Sequence, residues 1–514
     1  SVESCHFLLD HYCCRIGPLQ SIMLTVILLL TVLLINSQSI NVKKFPNDFV
    51  FGVASSSQQV EGAWDVDGKG ETMWDHLVRN YPEKVEGKNY IDMSCDSYYK
   101  TVEDVRHLKD LGVQFYRFSI NWARIMPTGF PNRINQAGID YYSNLIDELL
   151  ANNISPIVTI YHWELPQTLS TMGGFVNNDV VSWLEDYARV LFEYFGTRVK
   201  HWISVNEPRI MCQFGYGNGN FAPGVKLSGI ADYLCDHNAL KAHAKIYRLY
   251  QNDFKPTQQG QVGISIDLQW YEPATDSLDD LNATKRVIQF EIDKYLHPIF
   301  TKKGDYPELL KRLVREESES EGYFRSRLPE FTTEEVEQLK RSSDFLAINH
   351  YTTYLVQNKE TNFSANPSVE KDFKADLVFD PSWESSAFTL FKVVPWGVRK
   401  LLKYIKDNYD DINIYITENG YADTHSIHDE KRVNYHKRLL SNVLDSIYED
   451  NVPVKAYMAW SFLDSFEWSA GYNFGFGLYY VNFSDPNRPR IPKDSAKYYS
   501  KVIKDRGLVS KTEL

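Results

Sequence analysis

The chain has 514 residues, 43% hydrophobic and 14% aromatic, enough to bury a large core as one barrel with insertions or as several smaller domains. Its formal charge of −12, with no lysine- and arginine-rich stripe, excludes a nucleic-acid partner, because nothing is in place to neutralise a phosphate backbone. No Gly-rich dinucleotide fingerprint follows an apolar run and no cysteine or histidine spacing suits a metal, so no cofactor and no metal site is expected.

In chain order, residues 1–22 precede the first methionine, Met23, and read as translated leader outside the fold. Residues 24–35, "LTVILLLTVLLI", are continuously apolar and give way to "NSQS" (36–39), so 23–39 reads as a secretory signal peptide; a retained membrane anchor is the competing reading. Residues 40–514 are then one domain, secreted and free of the membrane after cleavage. Of six cysteines, Cys5, Cys13 and Cys14 fall in the leader, leaving Cys95, Cys212 and Cys235, which allow at most one internal bridge; buried free thiols are the default and Cys212–Cys235 the candidate pair. Sequons at Asn153, Asn282, Asn362 and Asn482 fit a secretory route. The closing "KTEL" (511–514) resembles a retention signal of the endoplasmic reticulum but has Thr512 at its acidic position, and is read as coincidence.

From about residue 45 onward, short apolar runs alternate with longer amphipathic ones. Eight runs read as strands: 49–55, 115–120, 155–162, 201–208, 261–267, 344–351, 413–420 and 454–462. Intervening segments such as 98–112, 137–153 and 179–196 are apolar at three- and four-residue spacing and read as helices. Strand and helix alternating eight times predict an α/β fold, a single (β/α)8 TIM barrel with its active site at the carboxyl ends of the strands. A doubly wound open sheet is the competing architecture, disfavoured by the missing fingerprint. The acidic run "REESESE" (315–321) reads as a solvated face.

A barrel demands that functional side chains gather at those strand ends. Gln59 follows the first run, Arg117 and Trp122 close the second, His162 and Trp163 the third, and Asn206 and Glu207 the fourth. Asn349 and Tyr351 end the sixth, Glu418 the seventh and Trp460 the eighth; the fifth has no assigned residue. Glu207 and Glu418 each end an apolar strand with no directly adjacent lysine or arginine, and strands four and seven are expected on opposite sides of the barrel. Two carboxyl groups facing each other across a cleft are what glycoside hydrolysis requires, one donating a proton to the leaving oxygen and the other stabilising the anomeric centre. Arg117 and Tyr351 are the donors that would keep Glu418 ionised, as a nucleophile must be. Glu207 lacks such a cation, and the charge on Glu418 would hold its proton in place. Trp122, Trp163 and Asn349 are read as supporting residues. Trp faces stack on sugars, so the 11 Trp point toward carbohydrate, and the charge balance points to a small neutral substrate; a monomer or homodimer is expected.

These motifs resemble the β-glucosidases of glycoside hydrolase family 1, of the animal or insect type, over about residues 45–499. "SVNEP" (204–208) is similar to the family's acid/base motif and "YITENG" (415–420) to its nucleophile motif, accompanied by "FGVASSSQQVEGA" (51–63), "YRFSINWARI" (116–125), "YHWELPQ" (161–167), "WSFLDSFEW" (460–468) and "FGLYYVNF" (476–483). The resemblance implies a retaining hydrolase with Glu418 as nucleophile and Glu207 as acid/base, and with Asn206 meeting the hydroxyl beside the anomeric carbon. It further implies that Gln59, His162, Glu467 and Trp468 hold the remaining glycone hydroxyls, that Trp460 forms the stacking floor, and that Tyr351 and Phe476 line the site. Relative to the family's usual pattern the chain has Gln58 for tyrosine, Phe175 for tryptophan, Ser465 for asparagine and Gly475 for arginine. Some members are myrosinase-like thioglucosidases, and others are weakly catalytic binding proteins; both are alternatives. A sulfated glucosinolate would need a cation near the aglycone, and Arg209, the candidate, is expected to point away.

Overall fold

In the computed structural model, residues 43–88, 90–360, 366–409 and 412–508 are described. The leader, signal-peptide, Asn362 and "KTEL" readings lie outside these residues. Eight parallel strands close into a barrel: β1 (Val50–Ala54), β2 (Phe115–Ser119), β3 (Ser155–Tyr161), β4 (His201–Asn206), β5 (Gln261–Asp267), β6 (Leu346–Asn349), β7 (Ile414–Glu418) and β8 (Val454–Trp460). Each pairs with its neighbours in sequence, and β8 closes the ring on β1. The expected helices form at Thr101–Leu111, Gln136–Ala151 and Val180–Phe195, and the ring is completed by others, among them Ala231–Leu249, Trp396–Asn408, Glu430–Tyr448 and Asp494–Asp505. Their apolar faces cover the outward residues of the strands, such as Tyr116 and Phe118 of β2 and Val158 and Ile160 of β3. The sequence reading did not include a small sheet of Trp270–Pro273, Thr353–Asn358 and Ala375–Val378, built from the long connections around β6. The acidic run lies at the end of the helix Glu308–Ser320; it is mostly solvated, but Ser318 is buried and Glu321 pairs with Arg327.

Inside the barrel, Phe115, Ile157, Ile203, Phe345 and Met458 form an apolar plug at the amino-terminal end. Nearer the carboxyl ends the inward side chains become polar: Arg117, Thr159, Ser265 and Thr417. Two breaks in the period-two alternation aim the decisive residues. From Ile203, strict alternation would put Val205 inside and Asn206 outside, but the pairing of β4 with β5 shifts register between Ile203 and Asn206 and turns Asn206 inward. From Tyr415 it would put Thr417 inside and Glu418 outside, and a shift between Ile416 and Glu418 in the pairing with β6 brings Glu418 in as well. The following Gly420 has no room for a side chain, since a Cβ there would lie 1.9 Å from the Trp460 carbonyl oxygen.

Cys212, just after β4, is bonded to Cys235 in the helix Ala231–Leu249, with a Cα–Cα distance of 5.5 Å, while Cys95 is a buried free thiol. The bridge spans a sequence separation of 23 residues, a loop for which chain entropy gives about 3 kcal/mol of stabilisation. Replacing both Cys212 and Cys235 by alanine is therefore expected to lower the urea midpoint of the oxidised protein, and the difference should vanish when the parent protein is reduced.

Candidate active site

At the carboxyl end of the barrel the Arg117 guanidinium, fully buried, is the hub. Its Nε donates to Thr159 Oγ1 at 3.1 Å, Nη2 to Asn206 Oδ1 at 2.5 Å, and Nη1 to the Thr417 carbonyl at 3.3 Å and to Glu418 Oε1. Tyr351 Oη donates to Glu418 Oε2 at 2.8 Å, so both carboxylate oxygens are engaged. Burial pushes the Glu418 carboxyl up; Arg117, Tyr351 and Asn349 pull it back, and the net effect is a modest rise.

Glu207 stands in a different environment. Burial, then the charge of Glu418 and that of Asp267, push its carboxyl well above the usual range, against a hydrogen bond from Asn349 Nδ2 at 2.7 Å to Glu207 Oε1 and a weaker pull from Arg117. The Asn349 amide thus serves both carboxyl groups. The two lie three strands apart round the ring of eight, β4 to β7, and not diametrically opposite. Glu207 is held at φ 46°, ψ 64°, a left-handed conformation uncommon outside glycine, where its N–H is fixed by the Ser265 carbonyl at 2.8 Å.

The residues expected to meet the glycone surround this pair. Asn206 accepts from Arg117 and from Asn349 and faces His162 Nε2 with its own amide at 3.2 Å. Burial, reinforced by Arg117, keeps the His162 ring neutral, and its Nδ1 is buried without a hydrogen-bond partner among the described residues. That ring is nearly parallel to Trp460 and to Trp468, at 6.0 and 6.1 Å between centroids. Trp163 and Trp468, like Glu207, have positive φ, and Trp163 Nε1 donates to the Asn206 carbonyl at 2.8 Å. Gln59 Nε2 donates to the Phe466 carbonyl at 2.7 Å, which ties the end of β1 to the loop after β8. In that loop burial pushes the Glu467 carboxyl up to about 8, against a hydrogen bond from Ser465, so it is protonated at neutral pH and able to donate as well as accept. Phe476 and Phe391 pack against Tyr351, the latter stacked at 4.7 Å. Trp122 is not part of this network: its indole stacks on Tyr187 at 4.5 Å and donates to the Gly129 carbonyl.

Residues 41–508 match glycosyl hydrolase family 1. The chain belongs to that family. A cytosolic beta-glucosidase of Cavia porcellus is 43% identical over 467 residues, covering 90% of this chain and 99% of its own length. Myrosinase 1 of Brevicoryne brassicae is 44% identical over 462 residues, covering 90% and 98%. Among solved structures, an aphid myrosinase superposes with a TM-score of 0.86 at 43% identity, covering 90% of this chain and all of that one. A rice beta-glucosidase in covalent complex with Glc gives 0.85 at 37% identity, with 91% and 99% coverage. This family member is a retaining glycoside hydrolase.

Its departures from the usual pattern are accommodated locally. Gln58 Nε2 donates to Asp75 Oδ1 at 2.9 Å, while Gln58 Oε1 receives Asn121 and Thr72, so it is committed to the scaffold beside Gln59. Phe175 is buried against Tyr161. Ser465 takes up the Glu467 carboxyl at 3.0 Å. At Gly475 a Cβ would lie 2.1 Å from Asp464 Oδ1; that carboxylate is held by Lys493 at 2.8 Å and by His425. Sequence reasoning did not single out Thr159, Ser265 or Thr417; inward spacing from Ile157 and Tyr415 was the available signal for Thr159 and Thr417.

Glu418→Ala is expected to be nearly inactive and to be rescued by azide or formate with an inverted product, whereas Glu207→Ala should spare substrates with good leaving groups. Equal loss of both variants on every substrate would contradict these roles. Arg117→Gln removes an influence that lowers the Glu418 carboxyl, so the acidic limb of kcat/KM should move to higher pH; a pH–rate profile with an unmoved acidic limb would contradict it.

Proposed function

We propose that this family member is a secreted retaining β-glucosidase that cleaves aryl or alkyl glucosides and cellobiose. The observation that carries the reading is the unequal environment of the two carboxyls, one held by Arg117 and Tyr351 and the other buried with no cation on it. In the first step a Glu418 oxygen attacks the anomeric carbon while Glu207 gives its proton to the departing oxygen, and the aglycone leaves as an alcohol. Esterified Glu418 no longer carries charge, so Glu207 loses an influence that kept its proton on and, now a carboxylate, takes one from water. The water oxygen bonds to the anomeric carbon, Glu418 departs as carboxylate, and the configuration is retained.

The aglycone side favours an aromatic group. Phe391 stacks on Tyr351, and Phe388 and Phe474 continue the half-buried wall from Phe391 outward. The likeness to Myrosinase 1 keeps thioglucoside cleavage as a second reading. Against it, Arg209 is already committed to Asp267 and to Glu291, the latter at 2.8 Å, so its charge is spent within the protein. A non-catalytic binding role is disfavoured by the presence of both carboxyls. The Cys212–Cys235 bridge, and exposed sequon asparagines at Asn153 and Asn282, support a secretory route.

A panel of cellobiose, aryl glucoside, aryl galactoside, aryl fucoside and a glucosinolate tests the substrate. The aryl glucoside is expected to lead and the glucosinolate to lag by at least about tenfold, the cost of leaving its sulfate without a cation; comparable rates would favour the thioglucosidase reading. Expression in eukaryotic cells should deliver the protein to the medium with glycan mass at Asn153 and Asn282.

A further inference from the structure

The fifth barrel strand is the one to which sequence reasoning assigned no functional residue, yet it too ends on a carboxylate. Asp267, the last residue of β5, is 2% exposed and lies in register with Asn349 of β6, the residue that hydrogen-bonds Glu207. Arg209, two residues after Glu207, donates to Asp267 Oδ2 through Nε at 2.7 Å and again through Nη2. β5 also supplies the Ser265 carbonyl that accepts the Glu207 N–H. The strand thus grips the catalytic turn on both sides of its left-handed residue, once through the backbone and once through an ion pair.

We propose that Asp267 is a positioning residue for the acid/base: its ion pair with Arg209 fixes the turn that carries Glu207. Its negative charge also pushes that carboxyl up. This rests on the role of Glu207 proposed above. Arg209 lies between two carboxyl groups, Asp267 and Glu291, and its single positive charge is shared between them. Among the described residues, Asp267 Oδ1 has no hydrogen-bond partner. Around the pair, Tyr271, Tyr295 and Tyr354 are neutral phenols whose ionisation burial pushes up. On the far side of Glu207 stand Glu418, which adds to the effect, and Arg117, which opposes it. Burial pushes the Asp267 carboxyl itself up to about 6, against the pull of its Arg209 partner.

The test is the pH dependence of kcat/KM on cellobiose, a poor leaving group, and on a dinitrophenyl glucoside, which needs little acid assistance. Removing the charge with Asp267→Asn lowers the pH at which Glu207 gives up its proton, so the alkaline limb on cellobiose is expected to move down by on the order of one pH unit. The same limb should move less in Glu291→Gln, whose carboxylate lies beyond Arg209, and kcat/KM for the dinitrophenyl glucoside should change little. Asp267→Ser is a second neutral variant should the asparagine protein fail to fold. An alkaline limb that stays in place in the neutral variants would overturn the proposal, as would an equal shift in Glu291→Gln. Failure of the unmodified protein to cleave any glucoside would instead sink the function proposed above.

Discussion

The ion pair between Arg117 and Glu418 is the interaction on which the rest of the carboxyl end depends. A guanidinium with no solvent contact must find acceptors for its donors, and here they come from β3, β4 and β7 at once. Removing one partner of such a buried pair typically costs about 3–5 kcal/mol, because the remaining charge is left uncompensated. The scaffold and the proposed nucleophile are therefore secured by the same contacts.

The asymmetry between the two carboxyls follows from that choice of partner. Arg117 spends its charge on Glu418 and its remaining donors on neutral oxygens, so Glu207 has only an amide hydrogen bond and is driven toward its protonated form. Groups whose environments push their protonation apart can divide acid and nucleophile roles at one pH. The loop after β8 is organised in a similar way: the Asp464–Lys493 pair anchors its base, while burial pushes the Glu467 carboxyl up, with a hydrogen bond from the Ser465 hydroxyl. On the proposed function, buried polar atoms such as His162 Nδ1 would meet the sugar preformed, and a glycone lacking a matching hydroxyl would be expensive to bind.

The barrel was legible because β-branched runs and amphipathic helices alternate eight times without interruption, and the helices at 101–111, 136–151 and 180–195 fall within a few residues of their periodic patterns. The end of β7 was legible as a carboxylate closing an apolar strand. What the pattern hid was how Glu418 and Asn206 enter the barrel, since period-two counting from Tyr415 and Ile203 places both outside. Register shifts belong to pairs of strands, and a single strand read alone does not contain them. Asp267 closes an apolar strand as Glu418 does, but the strand alone does not show its role, because its partner Arg209 lies 58 residues away. Trp122 stood at a strand end by sequence, but the turn after β2 carries its indole back onto Tyr187.

The central claim is that Glu418 bonds covalently to the sugar. A fluorinated glucoside that forms the glycosyl-enzyme readily and releases it slowly, followed by mass spectrometry of the intact protein and its peptides, tests this most directly. One sugar per chain, mapped to the peptide of β7 and its ester at Glu418, is the result expected. A label on Glu207, or complete turnover with inverted configuration and no trapped species, would contradict it.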